Sequence, residues 1–414
     1  MKRYLERMQT PAVERLLRQF PVVVITGARQ TGKTTLVQHL PSAAGRRFRT
    51  LDDPVTADLA RRDPETLLGE APRIALDEVQ RRPELLLLIK RLVDQDRVAG
   101  RFLLTGSANL LLMAGVSESL AGRAAYVHLP PLTESEKAGI RDPGTWGDLV
   151  RARTAEGAAR RLASRPVHDV DWRRAVVEGG FPSAALERSA ERRRRWFDAY
   201  VQTYVERDLR QLSMIADLAD FRRLMRVAAL RVGCLVNQAD LARDAGLSHA
   251  TAHRYLNLLE TSYLMARVPQ YSVSRTKRLL KMPKLYWGDT GLVAWLAGIE
   301  DARALAGHDA AGRLLENLVW HHLRCATGTD AEVLTWRTVQ GEEVDFVLES
   351  RRGLLPVEVK AARQVGSDDL RGLESFLDEH SDRARLGVVV YNGVECRLLS
   401  RKILALPLGL ALGL

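Results

Sequence analysis

The sequence predicts an α/β protein organised around an N-terminal parallel sheet, and three observations carry that prediction. Residues 1–132 alternate short apolar runs with helical patterns. A glycine-rich loop of fixed spacing lies between one of those runs and a helix. From Asp289 onward a helix, several strands and another helix make a second α/β pattern.

The first region offers four strands: PVVVITG (21–27), RIALDE (73–78), RFLLTGS (101–107) and AAYVHL (124–129). Residues 133–215 are helical and Arg-rich, interrupted near GGFPSA (179–184), and read as a helical lid or connector. A compact helical unit and a hairpin fill 216–288, and 289–414 form the last region. There is no internal repeat and no low-complexity linker.

Hydrophobic residues make up 46% of the 414-residue chain, enough to build buried cores. Cys234, Cys325 and Cys396 lie far apart, which argues against a disulfide scaffold or a zinc site. MKRYLERMQT lacks the apolar core of a secretion signal, and no apolar run approaches the ~20 residues of a membrane span. The tail ILALPLGLALGL reads as packing or a strand edge. These features predict a soluble, cytoplasmic protein with no membrane partner. The net charge of +11 favours polyanions, nucleic acid first, although an Arg- and Ala-rich composition would give the same excess.

Gly27-Ala28-Arg29-Gln30-Thr31-Gly32-Lys33-Thr34 fits G-x-x-x-x-G-K-[ST] in full, after the strand VVVIT and before the helix TTLVQHL, which opens at Thr34 and Thr35. Glycines let such a loop turn its N–H groups toward phosphate oxygens, and the helix N-terminus adds positive potential. Lys33 is expected to neutralise the β- and γ-phosphates of ATP, and the Thr34 hydroxyl to ligate Mg²⁺. IALDE, ending in Asp77 and Glu78, supplies the other half. Asp77 can hold Mg²⁺ through water, and Glu78 can polarise the attacking water.

The strand RFLLTGSAN, ending in Thr105, Ser107 and Asn109, resembles the sensor position of AAA+ ATPases, with Ser107 orienting the water. Arg123, in SLAGR, falls where AAA+ proteins carry the arginine finger that reaches a neighbouring subunit's γ-phosphate. That resemblance implies a homo-oligomer, a ring among its forms.

VNQADLARDAGLSHATAHRYLNLLE (236–260) has helix-turn-helix spacing, with a turn at Gly246-Leu247-Ser248 and a second helix from His249. Ala239, Leu241, Ala242, Leu247, Ala252, Leu256 and Leu259 are its expected core. His249, Thr251, His253, Arg254 and Asn257 are its expected DNA-facing side chains. YLMARVPQYS and RLLKMPKLYWG read as a β-wing, with Arg275, Lys277, Arg278 and Lys281 at the tip for backbone phosphates.

In the last region Asp345 lies in EEVDFVLE, and Glu358 and Lys360 lie two apart on the strand PVEVK, facing one side. With Glu316 from RLLENLVWHHL, these carboxylates form a candidate second metal site, with Lys360 beside it. The order E…D…E-x-K resembles the restriction-endonuclease-like fold.

Taken together, GARQTGKTTL (27–36), ALDEVQ (75–80), LLTGSANLL (103–111), LAGR (120–123), GGFP (179–182), YVERDL (204–209), DTGL (289–292), LLENLVWHHL (314–323), EVDFVL (343–348) and VEVK (357–360) resemble a widespread family of bacterial and archaeal AAA+ ATPases. The resemblance implies a P-loop ATPase domain, a winged helix and a C-terminal nuclease-like domain. It implies ATP and Mg²⁺ as ligands. The leading functional expectation is a DNA-binding ATPase that couples turnover to translocation on, or remodelling of, duplex or branched DNA. Two alternatives are an ATP-gated, metal-dependent nuclease and a slow nucleotide switch resembling the STAND signalling ATPases.

Overall fold

A computed structural model of the protein describes residues 4–106, 120–141, 144–203 and 217–414. The four regions read from sequence gather into two compact units. One runs from the N-terminus to Pro131 and includes Asn257–Leu264; the other comprises Leu132–Leu256 and Met265–Leu414.

The first unit holds five parallel strands: β1 (Val22–Thr26), β2 (Arg47–Thr50), β3 (Ile74–Asp77), β4 (Phe102–Thr105) and β5 (Ala124–His128). They lie in the order β2-β3-β4-β1-β5. All-parallel sheets are covered on both faces, so their central strands read as continuous apolar runs, as VVVIT, IALD and FLLT do here. Val22 and Val24 pack with Leu76, Leu104 and the helix Leu85–Gln95 on one side. Val23 and Ile25 pack with Leu103 and the helices Thr10–Leu17 and Lys33–His39 on the other. Because β4 is inserted between β1 and β3, the ends of all three converge where the glycine-rich loop begins. β2 is not among the four strands expected from sequence: RFRT is half-exposed at the sheet edge and has no apolar run.

In the second unit, a hairpin of β6 (Met265–Val268) and β7 (Lys284–Trp287) follows the helices Leu218–Leu230, Gln238–Asp244 and His249–Thr261. Asn237 caps the second of these helices and Ser248 begins the third, accepting from the Thr251 N–H at 3.2 Å. Leu241, Ala242, Ala252 and Leu256 are buried as expected, whereas Ala239 is exposed. Between β6 and β7 lies a short helix, Arg275–Leu280, rather than a bare hairpin tip.

A six-stranded mixed sheet completes this unit: β8 (Ala331–Arg337), β9 (Glu343–Ser350), β10 (Gly353–Lys360), β11 (Gly387–Tyr391), β12 (Arg397–Leu398) and β13 (Ile403–Pro407). Their order is β12-β13-β11-β10-β9-β8. β8, β9 and β10 are antiparallel, and β10, β11 and β13 are parallel. The helix Arg371–Glu379 covers one face through Leu373, Phe376 and Leu377. The apolar tail is packing and not an edge: its first part is β13, buried between β11 and β12, and Leu408–Ala411 is a short buried helix.

One carboxylate fastens distant parts of the second unit. Asp289 is buried and accepts from the N–H groups of Gly180 (2.6 Å), Phe181 (3.1 Å) and Leu292 (2.7 Å). Gly179 has φ +65°, and a Cβ there would lie 2.6 Å from the Asp289 carboxylate. The motifs GGFP and DTGL are therefore two sides of one joint. Asp289→Ala leaves three N–H groups without their acceptor, each costing roughly 1–3 kcal/mol. The expected outcome is at least about 3 kcal/mol lost from the second unit, read as faster hydrogen exchange across Trp172–Glu178 and Thr290–Leu296. Unchanged exchange there would refute the assignment.

Candidate functional site

The loop between β1 and the helix Lys33–His39 curls as its spacing predicts. Gly27 has φ +151°, and a Cβ would meet the Leu129 carbonyl oxygen at 2.4 Å, so only glycine fits. Lys33 is buried, its Nζ donating to the carbonyls of Ala28 (2.8 Å) and Gly27 (3.2 Å). Burial pulls its pKa down to about 8, against the opposing pull of Glu78 and Asp77. A buried ammonium bonded only to neutral carbonyls is matched to an anion.

Asp77 closes the other side. Both of its oxygens accept from the Thr34 hydroxyl, at 2.9 and 3.0 Å. Thr105 also donates to it, and Thr50 does so at 3.3 Å. A hydroxyl and a carboxylate in contact are hard oxygen donors of the kind Mg²⁺ takes beside nucleotide phosphates. Glu78 follows in the left-handed region, φ +58°, with its N–H held by the Thr105 hydroxyl at 3.2 Å. Burial, before any other influence, raises the Glu78 carboxyl above its usual range. That suits a group which must exchange a proton with water.

Of the other loop residues, Ala28 and Thr31 are buried, Arg29 and Gly32 are half-buried, and Gln30 and Thr35 are exposed. Two residues with no sequence signature brace this site. Arg7 is buried and donates to the carbonyls of Thr31 (2.7 Å) and Pro130. The Tyr263 hydroxyl lies 3.0 Å from the Thr26 hydroxyl, and its ring stacks on His128 at 4.4 Å. Ser107 and the YVERDL segment fall outside the described residues. Arg123 precedes β5, at the end of the sheet away from the loop, and is forked onto Asp94 of the helix Leu85–Gln95.

The expected DNA-facing residues divide. His249, His253, Arg275 and Lys277 are exposed, with the His253 ring 2.9 Å from Gln238. Thr251 accepts from Ser248, Arg254 is half-buried over the Tyr255 ring, and Asn257 is half-buried. Arg278 is a correction. It pairs with Glu349, donates to the Ser272 carbonyl at 2.7 Å and lies over Tyr271, so its guanidinium is not available to a phosphate.

The C-terminal constellation is also corrected. Glu316, Asp345 and Glu358 do approach one another, but Lys284 stands among them. Its Nζ is 3.0 Å from Glu316 and 3.8 Å from Asp345, and it also pairs with Glu343. Tyr286, two residues along β7, donates to Glu316. Asp345 accepts from the Val359 N–H at 2.8 Å, and Lys360 pairs with Glu358 at 3.0 Å. Burial raises the pKa of all three carboxyls; the charge of Asp345 adds to it at Glu316 and Glu358, and that of Glu343 adds to it at Asp345. For Lys284 burial acts downward, but Glu316, Asp345 and Glu343 outweigh it and hold the ammonium protonated. Among the described residues no three His, Cys, Asp or Glu side chains are grouped to hold a metal ion. An ammonium on the chain itself supplies the positive charge that the sequence pattern assigns to a divalent cation. Among the same residues no helix is long and apolar enough to cross a membrane.

Residues 19–137 match the family model "AAA domain". Residues 169–303 match "Domain of unknown function (DUF8612)", and residues 311–410 match "Domain of unknown function (DUF4143)". Uncharacterized protein Rv2008c of Mycobacterium tuberculosis and Uncharacterized protein Mb2031c of Mycobacterium bovis are each 33% identical over 404 residues, covering 97% of this chain and 84% of the relative. Among solved structures, the Walker-type ATPase PABY2304 of Pyrococcus abyssi aligns at 14% identity and a TM-score of 0.40, over 71% of this chain and 96% of that one.

Proposed function

We propose that this chain, which belongs to the same family as the two mycobacterial proteins, hydrolyses ATP at the Gly27–Thr34 loop and couples turnover to work on duplex or branched DNA. The observation that carries the ATPase reading is the joined pair Thr34 and Asp77, with Glu78 next to it and the buried Lys33 ammonium opposite. Lys33 binds the β- and γ-phosphates and draws off negative charge as the terminal bond breaks. Thr34 and Asp77 hold Mg²⁺, which when bound neutralises phosphate charge. Thr105 fixes both Asp77 and the backbone of Glu78, so the carboxylate that orients water is set by the same hydroxyl that sets the metal ligand. Glu78 takes the proton of the attacking water.

The DNA half is supported by the +11 charge and by the exposed His249, His253, Arg275 and Lys277 on the helix-turn-helix and hairpin. The C-terminal sheet carries no cleavage step in this reading, because Lys284 and Lys360 already pair with its carboxylates. Steady-state phosphate release, measured without DNA and with single strands, duplex and a four-way junction, tests the coupling. Stimulation of at least about tenfold by one of these DNAs is expected if DNA binding is linked to turnover at a coupling of ~1.4 kcal/mol or more. Equal rates across the panel would reject coupling and leave a slow nucleotide switch.

A further inference from the structure

We infer that a cleft in the second unit, separate from the helix-turn-helix, binds the phosphodiester backbone of nucleic acid. A cavity of about 950 Å³ adjoins one of about 200 Å³, and the two share Arg151, Arg352 and Arg383 in their walls. Three chain segments converge there. The helix Thr145–Arg151 and the residues after it bring Arg151 and Arg153. The turn between β9 and β10 brings Arg351 and Arg352, and the approach to β11 brings Arg383 and Arg385. Gly353 makes the last two segments touch. With φ +131°, its place for a Cβ is filled by the Arg383 carbonyl oxygen at 2.4 Å, and Leu354 N–H donates to that oxygen at 3.0 Å.

Many arginines of this chain are paired, whereas several unpaired ones gather in this cleft. Arg49, Arg123, Arg174 and Arg194 are each paired to a carboxylate. In the cleft, Arg153, Arg351, Arg352 and Arg385 make no ion pair among the described residues. The walls of the two cavities carry seven arginines against three carboxylates, Asp330, Glu332 and Glu349. Glu349 serves both Arg278 and Arg383, and Glu332 lies 3.8 Å from Arg278. Asp148, the partner of Arg151 at 2.9 Å, is shared with Arg161 and Arg165. An excess of guanidiniums around a polar cleft of this volume fits a chain of phosphates better than one small anion. Arg275, from the segment already read as DNA-facing, opens onto the same cavity. The choice of nucleic acid among polyanions rests on the DNA reading above; the site itself does not.

Fluorescence anisotropy with a fluorescein-labelled 30-nucleotide strand and the matching duplex, across a salt series, tests this on the full chain. The variants are R351E/R352E and, on the helix-turn-helix, H249A/H253A. R351E/R352E is expected to weaken binding at least about tenfold and to lower the log–log salt slope by roughly 2, at ~0.9 for each phosphate left unneutralised. Its ATP hydrolysis without DNA should equal that of wild type, which checks the fold. Wild-type affinity and slope in R351E/R352E would overturn the cleft, and loss confined to H249A/H253A would overturn it while sparing the DNA reading. Failure of the wild type to bind either DNA would overturn both.

Discussion

Lys33→Ala is expected to lower steady-state ATP hydrolysis by about 100-fold or more, because in the proposed reaction the buried ammonium carries the charge that meets the terminal phosphate. The substitution removes an ammonium whose two hydrogen bonds in the loop go to carbonyls, so the effect falls on the nucleotide and not on a protein ion pair. Glu78→Gln separates binding from chemistry. It keeps the shape and the Thr105 hydrogen bond to the Glu78 backbone, so ATP should still bind while turnover falls by roughly 10²–10⁴ as proton transfer disappears. Phosphate release and equilibrium binding of a fluorescent ATP analogue read the two effects. Wild-type turnover in Lys33→Ala would remove the loop from the active site altogether.

The second large effect is on stability. Lys284→Met strips the shared counter-charge from Glu316, Glu343 and Asp345, and breaking a buried ion pair from one side costs about 3–5 kcal/mol. The deficit should depend on pH in one direction. Glu316 and Glu358 have folded pKa values raised from an ordinary 4.5 to about 8. A carboxyl raised in this way takes up a proton on folding, so its contribution is fullest below about 4.5 and is lost as pH climbs toward 8. Without Lys284 the ionised form of Glu316 is costlier still, so the deficit of the variant should widen as pH rises through about 8, between pH 6 and pH 9. Hydrogen exchange at Val344–Leu348 on β9 reads the local opening free energy. A deficit equal at both pH values would show that Lys284 acts by packing and not by charge.

The parts of this molecule legible in sequence are those whose chemistry is contiguous. The loop Gly27–Thr34 needs only its own spacing and two flanking elements. The Asp77–Glu78 pair is legible because buried parallel strands read as unbroken apolar runs, and the carboxylates stand out at the end of one. The helices Gln238–Asp244 and His249–Thr261 are legible for a similar reason, since capping residues and a left-handed glycine punctuate them.

What stays hidden acts through space. Arg7 braces Thr31 from 24 residues away, and nothing in MKRYLERMQT marks it. Arg278 has the sequence setting of a wing-tip cation, and only the fold brings its partner Glu349, 71 residues on, beside it. Lys284 and Tyr286 sit two apart on a strand that reads as apolar, and their meaning depends on a helix and a sheet still to come. β2 has no periodic signal because it is a polar edge.

The joint at Asp289 bears on how such chains can be inherited. GGFP and DTGL lie on opposite sides of the helix-turn-helix in sequence, yet each is completed by the other. A recombination event that replaced only the stretch between them could keep the joint. One that brought in a new segment from Asp289 to the end would have to bring a matching GGFP partner or leave a carboxylate stranded. GGFP and DTGL are therefore expected to pass between lineages together, while the stretch between them is exchanged independently.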